Sequence, residues 1–329
     1  MRRVRASASP SLALIKYWGK RPGEVNVPAT TSVAVGLDSL RTITLVEGNP
    51  AGEARTPSAR VSVDGVAQPI APYEAVIASV RERALASESR YSNYDLAIDS
   101  DNNFPTAAGV ASSSSGFAAL VVSLAAFFDL EIEADELSAL ARTGSGSAAR
   151  SVFGGFTRLD AGSREAYRIF PADHWPELRL LVAVTDSGAK PVGSRAAMER
   201  TRTSSPYYDA WVADSSSLVD EAVAAIAERD IERLGTAMRA SYLRMTGSML
   251  AADPPVIYWI SQSVTVIHLC DELRSRGIHA WETMDAGPQV KILTTADDAA
   301  AIRSALRESG AVVRILESEI GGEPKWGVE

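Results

Sequence analysis

Cysteine is nearly absent from this chain. Cys270 stands alone among 329 residues, so no intrachain disulfide can form and no cysteine-based metal site can be built. Histidine is almost as scarce. His174, His268 and His279 lie far apart without ligand spacing, and each reads as a surface or packing residue rather than a metal ligand. No apolar run reaches the length of a membrane span. Residues 1–5 are basic but lack the apolar stretch of a signal peptide. The expectation is a soluble, cytoplasmic protein with no membrane partner. Positive charge is also short: 33 Lys and Arg against 41 Asp and Glu leave a net charge of −8. That excludes a general nucleic-acid binder, which needs a basic surface. A local cluster of Lys and Arg can still hold an anionic metabolite. The 46% hydrophobic and 22% charged content is that of an ordinary soluble protein, long enough for one large or two medium domains.

What is present is small residues and hydroxyls. Residues 101–116, DNNFPTAAGVASSSSG, read as a turn, a proline-bounded loop, a run of small residues and then a helix start. A helix N-terminus leaves backbone N–H groups unpaired and favours negative charge. Small side chains and the hydroxyls of Ser112, Ser113 and Ser114 let a phosphate approach those groups. Serine is also a preferred helix cap, so the stretch alone leaves phosphate binding and simple capping both open. A second small-residue run, residues 144–149, ends on Arg150 and is followed by Gly154-Gly155. It reads as a flexible connection or as a site with a single long cation. In SLALIKYWGK, Lys16, Tyr17 and Lys20 cluster within five residues. Two cations and a phenol suit an anionic ligand; an edge strand protected by lysines is the other reading.

Periodicity predicts the surrounding elements. Strands are expected at 32–37 and 40–47, the latter with Ile43 and Leu45 on one face and Thr42 and Thr44 on the other. Asp64-Gly65 predicts a hairpin within 60–67. A helix opens at Pro72 and runs to about 87, with Val76, Ile77, Val80 and Ala84 on one face. A strand carrying Tyr94, Leu96 and Ile98 leads into the serine loop, and residues 117–130 form a buried helix. A helix at 134–143 and strands at 155–160, 166–170 and 178–185 follow. Residues 206–251 are mostly helical, with a break. Residues 256–276 read as a helix whose apolar face holds Ile257, Ile260, Val264, Ile267, Cys270 and Leu273. A strand at 280–284 reaches Asp285, a return strand starts at Val290, a helix spans 296–308, and the last strand is 311–316. This order predicts an α+β second half with helices on one face of an antiparallel sheet. The division between halves is expected at 187/188.

Four separated stretches, SLALIKYWGK, NNFPTAAGVASSSSG, SGSAARSVFGG and MDAGPQVKIL, together resemble the diphosphomevalonate decarboxylase family. LRMTGSMLAADPPVIYWI is similar to its central helical region. The serine loop alone points only to the wider galactokinase, homoserine kinase, mevalonate kinase and phosphomevalonate kinase group; IKYWGK with SGSAARS and MDAGP is the more specific set. The resemblance implies a two-lobed α+β fold. Its N-terminal lobe is like ribosomal protein S5 domain 2, its C-terminal lobe is ferredoxin-like, and the active site lies in the cleft.

The implied reaction is ATP-dependent decarboxylation of mevalonate 5-diphosphate to isopentenyl diphosphate, with ADP, phosphate and CO2 released. Asp285 is the candidate that orients the tertiary hydroxyl and accepts its proton, and Arg150 the candidate that holds the carboxylate. Lys20, Tyr17 and Arg195 suit the phosphorylated end, with Ser145, Ser147 and Ser194 adding hydroxyls. Asn103, Gly109, Ser112, Ser113, Ser114 and Lys190 are assigned to ATP, and Ser112 also to Mg2+. A homodimer is expected by resemblance. The chain departs from the family at Ser11, where an Asn is usual, and at Thr30, where many members have Asn. These changes keep three other readings open: a decarboxylase of mevalonate 5-phosphate, a C3 kinase that does not decarboxylate, and a non-catalytic protein on this fold.

Overall fold

Ser9-Pro10 separates the first two strands, β1 (Arg2–Ala8) and β2 (Ser11–Ile15), because proline cannot continue a ladder. The computed structural model describes residues 1–52, 56–104, 112–186, 188 and 191–329. Gly109 and Lys190, with most of the loop before Ser112, lie outside the described residues. After β3 (Ser32–Gly36) and β4 (Thr42–Pro50) comes a hairpin of β5 (Ala59–Val63) and β6 (Val66–Gln68). Asp64 and Gly65 turn it with φ of 49° and 75°, as a two-residue turn between twisted strands requires. α1 (Ala71–Ala86) buries Val76, Ile77, Val80 and Ala84, the face its spacing predicts. β7 (Tyr94–Asn102) leads to α2 (Ser112–Phe127), in which every residue from Phe117 onward is buried.

The chain continues through α3 (Ala134–Gly144), the single turn α4 (Ala148–Ser151), β8 (Phe156–Leu159), β9 (Tyr167–Phe170) and β10 (Leu178–Val184). Helices α5 (Ser194–Ser204), α6 (Tyr208–Asp214), α7 (Val219–Glu228), α8 (Ile231–Leu250) and α9 (Ser261–Ser275) follow. Asp230 caps α8 by accepting from the N–H groups of Glu232 and Arg233, as an N-cap carboxylate should. The chain ends with β11 (Trp281–Met284), β12 (Val290–Thr295), α10 (Ala296–Glu308), β13 (Arg314–Ser318) and β14 (Lys325–Val328).

Three sheets form, in the orders β14-β1-β4-β7-β5-β6, β2-β3-β8-β9 and β11-β12-β10-β13. The first packs its inner face on α1, α2 and α3. The third alternates side chains between two cores. Leu181, Ala183, Val290 and Ile292 meet α9 and α10. Leu180, Val182, Val184 and Leu293 meet α7, α8 and the strands β2 and β3. The two lobes are thus welded by a common core rather than hinged on a linker. β10 precedes the expected division at 187/188, yet it bonds to β12 and β13, and β14 returns to pair with β1.

The alternation expected in β4 holds, and three other sequence expectations change. Thr42 and Thr44 are the buried face of β4, with Ile43 and Leu45 half-buried. The Thr42 hydroxyl meets that of Ser115 on α2 at 2.6 Å, and Thr44 meets Ser100 at 2.9 Å, so these hydroxyls are satisfied inside the core. The helix expected over 256–276 starts only at Ser261, leaving Ile257 exposed, and its buried face holds Ser263 and Val266 in place of Val264. Pro254 and Pro255 hold the preceding segment out of a helix. The third sheet has helices on both faces. The last strand is β14, whose residues are all exposed, so no hydrophobic alternation marks it.

Because Leu180 lies in the core shared by both lobes, Leu180→Ala should cost about 3 kcal/mol of stability. Urea unfolding followed by fluorescence and by circular dichroism should stay a single transition. Two separated transitions would show that the lobes fold independently.

Candidate active site

The end of β2 and the loop after β11 meet across the two lobes. Lys16 is fully buried, and its Nζ donates to Oδ1 of Asp285 at 2.7 Å and to the carbonyl of Ala13 at 2.8 Å. Lys291 on β12 approaches the other oxygen, Oδ2, at 3.2 Å. Burial alone would push the Asp285 carboxyl up; the two ammoniums outweigh it and hold the group well below the usual carboxylate range. Burial pulls Lys16 down to about 8 against the opposing pull of Asp285. Asp285 keeps 28% of its side chain exposed, which opens it to a cavity of about 740 Å3.

Arg150 projects into the same cavity from α4. Its Nη1 donates to the Ser32 hydroxyl at 2.5 Å, while its Nε is buried without a partner among the described residues. Burial lowers the guanidinium to about 10, so it remains a cation at neutral pH. An unsatisfied buried N–H costs free energy until an acceptor arrives. An anionic ligand is the acceptor this cavity admits.

The two cationic and hydroxyl-rich stretches converge here. Tyr17, Lys20, Ser145 and Ser147 line the cavity from one lobe, and Ser194 and Arg195, at the start of α5, line it from the other. Tyr17 lacks a partner for its hydroxyl and burial raises it to about 12, so it stays a proton donor. Burial, with Arg195 nearby, lowers Lys20 to about 8. Gly146 lets the Tyr17 hydroxyl approach its backbone, where any side chain would collide with the phenol. Gly19, at φ 109°, does the same for Tyr208.

Ser112 and Ser113 line this cavity and also a second one of about 470 Å3, built by the β5–β6 hairpin, β7 and α2. The Ser113 hydroxyl lies 3.3 Å from that of Ser145, so the two small-residue runs meet. Ser114 sits elsewhere: it is fully buried and accepts from the N–H of Ser11 at 3.4 Å, beneath the cavity rather than on it. Asn103 is also placed away from both cavities. Its amide accepts from the N–H of Arg41 and donates to the carbonyl of Ser39. The neighbouring Asn102 lines the second cavity instead. Thr30 does not line the first cavity; its hydroxyl bridges the Trp18 N–H and the Lys16 carbonyl, so its difference from asparagine acts on the loop backbone.

Several residues here carry no sequence signal. Asn26, at φ 53°, accepts from Lys20 Nζ at 2.5 Å and donates to the carbonyls of Arg142 and Thr143. Ser32 holds Arg150. Ser241 on α8 accepts from the Lys16 N–H at 2.9 Å, and Trp211 on α6 donates to the Trp18 carbonyl at 3.0 Å. Lys291 belongs with them.

Hydroxyls at a helix start facing a carboxylate held between cations, in a cleft between two α+β lobes, define a phosphoryl-transfer site of the small-molecule kinase type. Comparison with known proteins narrows this. Residues 8–168 match a diphosphomevalonate decarboxylase-like N-terminal domain, and residues 180–324 a mevalonate 5-diphosphate decarboxylase C-terminal domain. The chain is 33% identical over 320 residues to the diphosphomevalonate decarboxylase of Gibberella zeae, covering 90% of this chain and 82% of the relative. It is 32% identical to that of Candida albicans, over 97% of this chain and 89% of the relative. The mevalonate diphosphate decarboxylase of Staphylococcus aureus superimposes with a TM-score of 0.90 at 32% identity, covering 99% and 98% of the two chains. MDDEF in complex with MVAPP, AMPPCP and magnesium superimposes with 0.88 at 33% identity, covering 100% and 99%. The chain belongs to the diphosphomevalonate decarboxylase family.

Burial brings Lys20, which lines this cavity, and Lys16, buried behind it, down to about 8, so each loses its positive charge as pH rises. The ratio kcat/KM should therefore fall through about pH 8. Lys20→Arg, which keeps a cation above that pH, should move this alkaline limb upward by weakening the contribution of Lys20. A limb unchanged in Lys20→Arg would exclude Lys20 as one of the groups behind it.

Proposed function

We propose that this chain catalyses ATP-dependent decarboxylation of mevalonate 5-diphosphate to isopentenyl diphosphate, releasing ADP, phosphate and CO2. One observation carries the reading: the clamped Asp285 carboxylate and Arg150, with its unpaired Nε, open on the same cavity as Ser112 and Ser113. A plain kinase needs the first and last of these; a second cation buried beside the acceptor suits a substrate that carries its own carboxylate.

ATP supplies the phosphoryl group, and magnesium neutralises the phosphates during transfer. Among the described residues no group of His, Cys, Asp or Glu is gathered for a metal ion. The ion would thus be held by phosphate oxygens with the Ser112 hydroxyl. Ser112 and Ser113 belong to both cavities, so they suit the phosphates where the nucleotide and the second substrate meet. The second cavity, walled by Val61, Val66, Ile98, Phe117 and Leu120, suits the base and ribose.

Asp285 accepts a hydrogen bond from the tertiary hydroxyl and aligns it. A carboxylate has about four lone-pair sites, so it can accept the hydroxyl beside its two ammonium partners. Held this low, it is a weak base. Its contribution is orientation first and proton acceptance late, which suits a loose phosphoryl-transfer transition state. Once phosphate leaves C3, the same anion faces the developing positive charge. Arg150 holds the substrate carboxylate until the C–C bond breaks and CO2 departs. Lys20 and Arg195, with Tyr17, Ser145, Ser147 and Ser194, take the 5-diphosphate. A homodimer and a cytoplasmic location complete the reading, on resemblance to the family alone.

Labelled mevalonate 5-diphosphate with ATP should give ADP, phosphate and CO2 in equal amounts, with mevalonate 5-phosphate turned over more slowly. ADP without CO2 would convert the reading to a C3 kinase. Asp285→Asn should lower kcat by about a thousandfold. Arg150→Lys keeps charge but loses the planar fork, and should lower kcat by about a hundredfold with little change in the KM for ATP. An Arg150→Lys enzyme of normal rate would make Arg150 structural.

A further inference from the structure

Lys291 is a lysine inside the third sheet. Its side chain is fully buried, and it pairs across the ladder with Val182 on one side and Thr283 on the other. Its neighbours in β12, Val290 and Ile292, serve the outer core, while Lys291 and Leu293 alternate to the opposite face, toward the other lobe. Among the described residues two acceptors meet its ammonium: Asp285 Oδ2 at 3.2 Å and the carbonyl of Gln289 at 3.4 Å. Burying an ammonium costs several kcal/mol before any pairing is counted, and an apolar residue at this position would satisfy the sheet. Neither Lys291 nor Lys16 lines the cavity that Asp285 opens on, so both meet the carboxylate from behind.

The groups facing Asp285 come from three elements. Lys16, following β2, takes Oδ1; Lys291, on β12, takes Oδ2; Arg150, on α4, acts on both through its charge. Lys16 belongs to the opposite lobe, whereas Lys291 shares a hairpin with Asp285: Met284 pairs with Val290 across the loop between β11 and β12. Lys291 therefore keeps its distance from the carboxylate whatever the lobes do.

We propose that Lys291 is a positioning residue for the reaction, holding Asp285 in one rotamer and in its anionic form from within its own hairpin. The proposal rests on the reading that Asp285 aligns the tertiary hydroxyl. Removing Lys291 withdraws one of the opposing charges and leaves the burial that favours the neutral acid, so the Asp285 carboxyl must rise. A cation at this range lowers a carboxyl by about one to three pH units.

The experiment compares Lys291→Met, Lys291→Gln and Lys291→Arg with the wild type, reading kcat between pH 4.5 and 8 as a ratio to wild type, which cancels the substrate's own titration. Thermal melting establishes that each variant is folded. In the neutral variants the ratio should fall tenfold or more at neutral pH and fall further toward acid, with an acid limb raised by one unit or more. Lys291→Arg should restore the wild-type pH dependence, and the KM for ATP should stay within about twofold in all three. In an Asp285→Asn background, Lys291→Met should cost little more, because the group it positions is gone. A folded neutral variant with wild-type kcat and pH profile overturns the proposal. So does a pH-independent loss that Lys291→Arg does not repair, or failure of both neutral variants to fold, since either makes Lys291 structural. Measuring ADP as well as CO2 separates this from the decarboxylase reading: if wild type forms ADP without CO2, that reading falls while the ADP rate still reports on Lys291.

Discussion

A carboxylate shared between an ammonium from each lobe is the interaction on which this site depends. Lys16 and Lys291 reach the two oxygens of Asp285 from opposite lobes. Such a pair works only if both lobes are fixed relative to each other to a fraction of an ångström, since desolvated charges are costly when their partner moves away. The shared core supplies that rigidity. Leu12, Leu14, Val33 and Val35 of one lobe share a single core with Leu180, Val182 and Val184 of the other, and interiors packed at crystal-like density do not slide.

The loop bearing Asp285 is pinned just as firmly. Gln289 accepts from the Thr185 N–H at 2.6 Å and donates back to the Asp186 carbonyl, and the Ser263 hydroxyl donates to the Pro288 carbonyl at 2.6 Å. These bonds tie the β11–β12 loop to the end of β10 and the start of α9. On the other side, Lys16 is held through its own N–H by Ser241 of α8, and α8 is tethered to β11 by Arg239 and Tyr242, which both meet the buried Glu282 at 2.6 and 2.9 Å. The two halves of the ion pair are thus braced by the same helix and the same strand.

The parts of this architecture that were legible in the sequence share one property: their signal is local. The face of α1 follows from four apolar residues at helical spacing, and the β5–β6 turn follows from Asp64-Gly65. The cavity residues came from short runs rich in small, hydroxyl and cationic side chains. What escaped is set by distant partners. The alternation of β4 was legible but not which face is buried: that is the one whose threonines find Ser100 and Ser115, residues more than fifty positions away. β14 has no buried face and exists because β1 offers an unpaired edge. Asn26, Ser32, Ser241 and Lys291 act through hydrogen bonds or ion pairs set by the fold, and no spacing rule marks them. Asn103 and Ser114 were read by residue type as phosphate ligands; Asn103 meets the backbone of Arg41 and Ser39, and Ser114 the N–H of Ser11, contacts that no local pattern announces.

An anion held this securely fits both halves of the proposed reaction. Phosphoryl transfer through a loose transition state asks for alignment of the hydroxyl rather than early removal of its proton, and an ionised carboxylate that cannot rotate provides alignment. Loss of phosphate then places positive character on C3, where a neutral acid would give little stabilisation and a mobile carboxylate would risk capturing the cation. Two ammoniums at Asp285 temper its nucleophilicity while leaving its field in place. Arg150 is arranged in the complementary sense: anchored at one nitrogen by Ser32, with its Nε left for a ligand, it can orient the substrate carboxylate through a contact that weakens as CO2 forms. The same cations that draw in a polyanionic substrate would stall the second step if all of them bound its carboxylate. Pairing Lys16 and Lys291 to Asp285 leaves Arg150 as the cation placed to hold it.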